Sequence, residues 1–219
     1  MTKYFQKEIE QLKKRVLHLT AKVEESLQMA VSSVEDLDAN LAAQVVAGDA
    51  EIDRLEVELE EECLKNLALH QPVAIDLRFL VAALKINSDL ERIADLAVNI
   101  AEEAIRLAKF DKVVRPYNLT DMLNRVMWMV HKSADSLVNL DPELGRAVCA
   151  ADNEVDQLHR DAAASVVRTL KRHPEQAPAL ISLLDIARNL ERIADHATNI
   201  AEDVIYMVNG EIIRHQGGE

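Results

Sequence analysis

The sequence predicts an all-α protein made of two tandem, internally duplicated three-helix bundles, and three observations predict it. The chain has only 5 Gly and 5 Pro in 219 residues and 3% aromatic residues, so it lacks the turn and strand formers of a β-sheet. Hydrophobic residues at 49% beside charged residues at 29% are typical of amphipathic helices. The chain also repeats itself: residues 90–102 read LERIADLAVNIAE and residues 190–202 read LERIADHATNIAE. We therefore expect one repeat at 1–114 and a second at 115–219.

Two turns divide the first half into three helices. The first helix, residues 3–36, ends at DLDAN (36–40), whose Asp and Asn residues are typical N-caps of a second helix at 39–69. The segment HQP at 70–72 ends that helix, and a third follows at 73–110. A core stripe at spacings of three and four residues supports the third helix: Leu90, Ile93, Ala97 and Ile100.

The second half follows the same plan. A break at residues 115–118 (RPYN) separates the halves, with Asn118 or Thr120 available to cap a fourth helix. An Asp-Pro pair at 141–142 begins the fifth helix, because Pro fits the first helical position, and a Pro-containing turn at 173–178 precedes the sixth. Short connections make neighbouring helices antiparallel. The predicted helices of this half cover residues 119–139, 142–171 and 176–209.

Carboxylate pairs mark one face of two helices in each half. Glu91 and Asp95 are four residues apart, so both side chains leave the same face of a helix, about 40° apart. Asn99 continues that face, and like charges at this spacing destabilise an isolated helix, so something should compensate. The remaining members of the pattern are Glu191, Asp195 and Asn199 on the sixth helix, Asp49 and Asp53 on the second, and Asp152 and Asp156 on the fifth.

Hairpin geometry predicts that these pairs come together. Asp53 lies as far before Pro72 as Glu91 lies after it, and Asp49 and Asp95 are likewise equidistant from Pro72. Because neighbouring helices run antiparallel, residues equidistant from a turn lie at one level. The same relation holds around the turn of the second half. Each half therefore brings four carboxylates to one level, and helix rotation decides whether they face each other.

Four converging carboxylates need a counter-cation to stay ionised together. Oxygen-only ligation favours a hard divalent or trivalent ion such as Mg²⁺, Mn²⁺ or iron, and Zn²⁺ less. The alternative is that the acids are solvated surface residues, helped by nearby Arg92 and Arg192. Retention of 11 of 13 positions between the two LERIAD copies favours ligands, since solvated faces would be expected to diverge further.

Missing features argue against several other function classes. There is no Glu-x-x-His spacing, glycine-rich phosphate loop, HExxH or GxSxG, so an enzyme is not indicated, and His196 is interpreted as a packing or surface residue. A net charge of −13 argues against a nucleic-acid partner, which requires clustered Lys and Arg. The charged N-terminus lacks a signal-peptide core and the apolar runs are too short to span a membrane, so we expect a cytoplasmic protein.

Three motifs resemble the PhoU family of phosphate-specific transport accessory proteins: the duplicated LERIADxAxNIAE, the GDxxID-like segment before each copy, and QPVAIDLRFL at 71–80. The resemblance covers essentially the whole chain and implies two three-helix bundles. It also implies multinuclear metal clusters at the E/DxxxD motifs, here Glu91, Asp95, Glu191 and Asp195. The facing set would be Asp49, Asp53, Asp152 and Asp156, with Asn99 and Asn199 as secondary candidates.

The resemblance also implies a regulatory role. PhoU proteins are negative regulators of the phosphate regulon that link the ATPase subunit of the phosphate ABC transporter to a sensor histidine kinase, and many are homodimers. Such a protein reaches the membrane only through its partners. One feature separates the halves: QPVAIDLR at 71–78 has no counterpart in HPEQAPALISLL at 173–184, which indicates a partner contact confined to the first half.

Two alternatives stay open at this stage. A metal store or metal-dependent enzyme would use the carboxylate clusters with an open coordination position. A metal-free helical adaptor would carry the same acids as solvated stripes.

Overall fold

The computed structural model describes residues 3–110 and 112–210, which form six long helices and, within those ranges, no strand. The all-α prediction is therefore confirmed. No helix of this described part is both long and apolar enough to cross a membrane. The helices are α1 (Lys3–Asp36), α2 (Ala39–His70), α3 (Ala74–Leu107), α4 (Leu119–Asn139), α5 (Pro142–Arg172) and α6 (Ala177–Asn209), with a 3-10 turn at Pro174–Gln176.

The largest boundary difference is at the end of α3, which stops at Leu107 instead of the predicted residue 110. The physical reason is a tightening of the last turn. The backbone N–H of Phe110 donates to the carbonyl of Leu107, three residues back instead of four, as is common at helix ends.

Side-chain caps begin three helices where the sequence predicts them. The Asp38 carboxylate accepts hydrogen bonds from the backbone N–H groups of Asn40 and Leu41, at 2.9 and 3.1 Å. Asp141 caps α5 in the same way, and Asn118 caps α4. Each cap satisfies N–H groups that the first turn of a helix leaves without an intrahelical acceptor.

The two halves meet mainly through α3 and α6. Each of these helices also packs on the other two helices of its own half, and α1 contacts α4. Leu90, Ile93, Ala97 and Ile100 are all fully buried, which confirms the predicted core stripe. The absence of a side chain at Gly145 lets α5 approach α6, since an added Cβ would lie 3.2 Å from a backbone oxygen of α6.

Polar contacts join α3 and α6 at one end of their interface. The Lys85 ammonium lies 3.1 Å from the Asp203 carboxylate, which is almost fully buried. One turn away, Nε of Arg78 donates a 2.8 Å hydrogen bond to the carbonyl of Met207 near the end of α6. These contacts hold the two repeats in one register.

The α2–α3 turn of the first half and the α5–α6 turn of the second half differ in backbone conformation, whereas the α1–α2 and α4–α5 turns each contain one left-handed residue, Leu37 and Leu140, both with φ 54°. Gln71 ends α2 with φ 43° and ψ 55°, and Ala74 begins α3 with φ 52°, both in the left-handed region. In the second half the 3-10 turn ends at Gln176, whose φ is −89°. Because a Cβ makes the left-handed region unfavourable by about 1–2 kcal/mol per residue, the α2–α3 turn is strained and the α5–α6 turn is not.

Gln71→Gly should stabilise the protein by about 0.5–1 kcal/mol. Gly adopts the left-handed conformation without strain, and the greater conformational entropy of Gly in the unfolded chain cancels only part of this gain. The free energy of unfolding from urea denaturation measures the change. Gln176→Gly is the matched control and should destabilise, since its φ is already favourable for any residue. Equal effects of the two substitutions would contradict the assignment of strain to Gln71.

Candidate metal centre

The acids predicted in the first half lie within electrostatic reach of one another where α2 packs on α3. The pKa of Asp49 is raised, first by burial and then by the charges of Asp53, Asp95 and Glu91. Burial likewise raises the pKa of Glu91, with Asp95 as the strongest neighbouring charge. The two pairs therefore lie within electrostatic range of each other across α2 and α3. We call Asp49, Asp53, Glu91 and Asp95 the first acid face.

The second half repeats this arrangement between α5 and α6. Burial raises the pKa of Asp152 to about 6, and the charges of Asp195 and Asp156 add to the shift. The pKa of Asp195 is raised by burial and by Glu191 and Asp156. We call Asp152, Asp156, Glu191 and Asp195 the second acid face.

The two asparagines stand apart from these groups. Asn99 and Asn199 are exposed, one turn beyond Asp95 and Asp195. Among the contacts of the described residues, no hydrogen bond joins either amide to the acids. Their role as secondary ligands stays a prediction.

Arginines neutralise part of the charge on both acid faces. In the first half, Arg92 lies 3.2 Å from Asp95 and 3.4 Å from Glu91. In the second half, Arg160 lies 3.4 Å from Asp156. These side chains are exposed, so each pair is worth little on its own.

The donor chemistry of both acid faces fits a hard cation. Carboxylate oxygens are the ligands that such ions prefer, and the mutual repulsion is the charge that a cation would neutralise. Within residues 3–110 and 112–210, however, no group of three or more His, Cys, Asp or Glu side chains converges closely enough to hold an ion. Side-chain rotation is therefore required before a coordination shell can close.

Glu56 is a further acid beside the first acid face that the sequence pattern did not single out. Burial raises its pKa, and the charges of Glu60, Glu91 and Asp53 add to the effect. Its carboxylate accepts a 2.7 Å hydrogen bond from the side-chain amide of Asn87 on α3. The acids of α2 recur at spacings of three and four residues, and this period is the signal that could have revealed it.

His196 joins the two halves beside the acid faces. Its Nδ1 lies 2.9 Å from a carboxylate oxygen of Asp89 on α3, and because a carboxylate only accepts, Nδ1 carries the proton. The His196 side chain also offsets part of the upward pKa shifts of Glu91 and Asp195, so it lies near both acid faces. The side chain is half-buried, as expected of a packing residue, but its electrostatic contact with the acids was not foreseen. The matching residue of the first half, Leu96, is buried and apolar.

Comparison with known proteins agrees with the duplicated fold. A family model described as the PhoU domain matches the chain twice, over residues 16–104 and 119–204. The chain belongs to the PhoU family. The phosphate-specific transport system accessory protein PhoU homolog of Aquifex aeolicus is 39% identical over 211 residues, 96% of this chain and 95% of that protein. The homolog of Pseudomonas aeruginosa is 34% identical over 218 residues, 99% of this chain and 90% of that protein.

Two crystal structures share the PhoU fold described above. PhoU from Pseudomonas aeruginosa has a TM-score of 0.89 at 35% identity, covering 94% of this chain and all (100%) of that one. The phosphate transport system regulatory protein PhoU from Streptococcus pneumoniae has a TM-score of 0.88 at 25% identity, covering 95% and 99%. The arrangement of six helices is therefore that of PhoU proteins.

Asp152→Asn should remove a pH dependence of stability. The pKa of Asp152 is about 6 in the folded protein against 3.8 for an ordinary Asp, so ionisation destabilises the fold as the pH rises from about 4 to about 6. Solvent screens this half-exposed group, so we expect the variant to gain about 1 kcal/mol at pH 7 and nothing near pH 4. Urea denaturation in EDTA measures both. Asp161→Asn, on the exposed surface of α5, is the control, and an equal gain there would contradict the assignment.

Proposed function

We propose that this protein regulates phosphate uptake and phosphate-starvation signalling, negatively modulating the phosphate ABC transporter and its sensor histidine kinase. The observation that carries the proposal is the match of both halves to the PhoU domain. Relatives that span almost the whole chain are named accessory proteins of the phosphate-specific transport system. In this proposal the protein acts in the cytoplasm as a homodimer and contacts the ATPase subunit of the transporter.

The architecture suits an adaptor. The long helices bury apolar stripes over their full length, and α3 and α6 are tied by the Lys85–Asp203 ion pair. A rigid body of this kind keeps its exposed surfaces at constant separation, which protein partners require for recognition. No nucleophile with an adjacent base stands out on the acid faces, so we propose a regulator and not an enzyme.

We further propose that the acid faces bind hard cations such as Mg²⁺, Mn²⁺ or iron, with Zn²⁺ less favoured. A bound cation would neutralise the carboxylates and hold them in one arrangement. The raised pKa values of Asp49, Glu91, Asp152 and Asp195 support this, because burial and then like charges disfavour their ionised forms, and a bound cation would offset both. The proposed ligands are the eight members of the two acid faces, with Asn99 and Asn199 as secondary candidates.

A metal-free adaptor is the second candidate. The contacts of Arg92 with Asp95 and Glu91 favour it, since they compensate part of the charge without a metal. The two candidates differ in whether the purified protein retains metal.

Affinity capture from the native host tests the regulatory role. With the tagged full-length protein, we expect quantitative mass spectrometry to recover the transporter ATPase or the sensor kinase, about fivefold or more above an unrelated helical bait. The enrichment should differ between cells grown in high and in low phosphate. Recovery of neither protein in both conditions would refute the proposed regulation.

Metal analysis tests the acid faces. After incubation with Mn²⁺ or Fe²⁺ and desalting, elemental mass spectrometry should find metal in the wild type and about tenfold less when Glu91, Asp95, Glu191 and Asp195 are all changed to Ala. The control variant changes four exposed acids elsewhere to Ala and should keep its metal: Glu10, Glu25, Asp161 and Glu175. Equal metal per chain in all three proteins would show that the acid faces are not the site. A wild type without metal would favour the metal-free adaptor.

A further inference from the structure

An open groove of about 190 Å³ lies where the start of α3 meets the end of α6. Leu77, Val81 and Tyr206 line it and are 40, 43 and 41% exposed. Large apolar side chains that are exposed together mark interaction surfaces more often than isolated ones do. We call this surface, with Arg78 and Lys85 at its rim, the docking groove.

The strained turn of the first half adjoins the docking groove. Val73, one turn before Leu77, is 73% exposed. The left-handed residues Gln71 and Ala74 lie on either side of it. Strained backbone of this kind occurs at ligand clamps and switch regions, where surrounding structure maintains it. The α5–α6 turn, which the structure describes in full, has no left-handed residue, and Leu140, the left-handed non-glycine residue of the second half, lies in the α4–α5 turn.

Two cationic side chains border the docking groove. Arg78 uses Nε for the carbonyl of Met207, which leaves its terminal amino groups for other acceptors. Lys85 is 45% exposed, whereas its partner Asp203 is buried beneath it at 5%. With Asp203 in the same lining, the groove carries two cations and one anion, which is a local exception in a chain of net charge −13.

The two cations that α3 contributes to the rim have no cationic match on α6. The residues that match Arg78 and Lys85 in the second repeat are Pro178 and Asp185. The residue that matches Val81 is Ile181, which is 56% exposed. The starts of α3 and α6 therefore differ in charge at these positions, although the residue that matches Tyr206 is the exposed Arg106.

We propose that the docking groove binds an amphipathic helix of a partner protein, whose apolar residues fill the groove and whose acidic residues pair with Arg78 and Lys85. Leu77 and Val81 are four residues apart and form a ridge that suits the spacing of apolar residues on a facing helix. The inference uses the proposed regulatory function only to say which proteins could supply that helix.

Two other occupants fit the charges and the shape less well. A second copy docked symmetrically through this groove would place one cationic rim against the same rim of its partner. An anionic membrane would repel a chain of net charge −13, and it is flat where the groove is concave. A helix with acidic flanks has neither disadvantage.

Fluorescence anisotropy with the full-length protein tests the proposal. The probes are two labelled synthetic helices of about 18 residues with Leu at helical spacing and either Glu or Lys beside the Leu stripe. We expect the Glu helix to bind about tenfold more tightly than the Lys helix. Val81→Ser and Arg78→Ala should each weaken binding of the Glu helix about fivefold, and Ile181→Ser should leave it unchanged. Circular dichroism checks that the variants keep their helices.

Equal binding of both helices, or equal loss in Val81→Ser and Ile181→Ser, would overturn the proposal. Absence of helix binding together with flotation on phosphatidylglycerol vesicles would assign the groove to lipid. A dimer in sedimentation that Val81→Ser dissociates would assign it to a second copy. If capture from cells recovers neither phosphate partner while the Glu helix binds as expected, the docking groove stands and the proposed function fails.

Discussion

The packing of α3 against α6 is the contact on which the rest of the molecule depends. Both helices bury an apolar stripe along their length, and each buried Leu or Ile contributes about 1.5–3 kcal/mol. Repulsion between two acids one turn apart costs only a few tenths of a kcal/mol, roughly tenfold less. The core therefore tolerates an ExxxD pair on each helix. It also turns those pairs toward α2 and α5, where the facing acids lie.

The acid faces thus destabilise the fold electrostatically, by less than the burial of the core stabilises it. Burial is the first cause of each raised pKa, and like charges are the next. Arginines at the edge offset part of it, but they are exposed and screened. A surface kept in this state is sensitive to any cation or basic partner that arrives, which is a useful property in a regulator.

The two halves are similar because of the duplication, and they differ at residues that contact the other half. Leu96 is core, whereas His196 at the matching position reaches across to Asp89. Lys85 pairs with Asp203 at one end of the interface, and its counterpart Asp185 carries the opposite charge. The core stripe, in contrast, is retained in both copies. Core packing constrains the residues that the two halves share, whereas residues at the contacts between the halves differ.

The sequence by itself determined the six helices and the N-caps of three of them, and it predicted the level at which the carboxylates lie. The helices and caps depend on interactions between residues a few positions apart. The level of the carboxylates depends on their sequence distance from a turn, so all of these features can be inferred without coordinates. Tertiary structure alone decided how the helices are rotated, that Glu56 meets Asn87, that His196 meets Asp89, and that a groove opens between α3 and α6. Each of these joins residues far apart in the chain, and their meeting depends on how side chains from several helices fill one core, which no local pattern encodes.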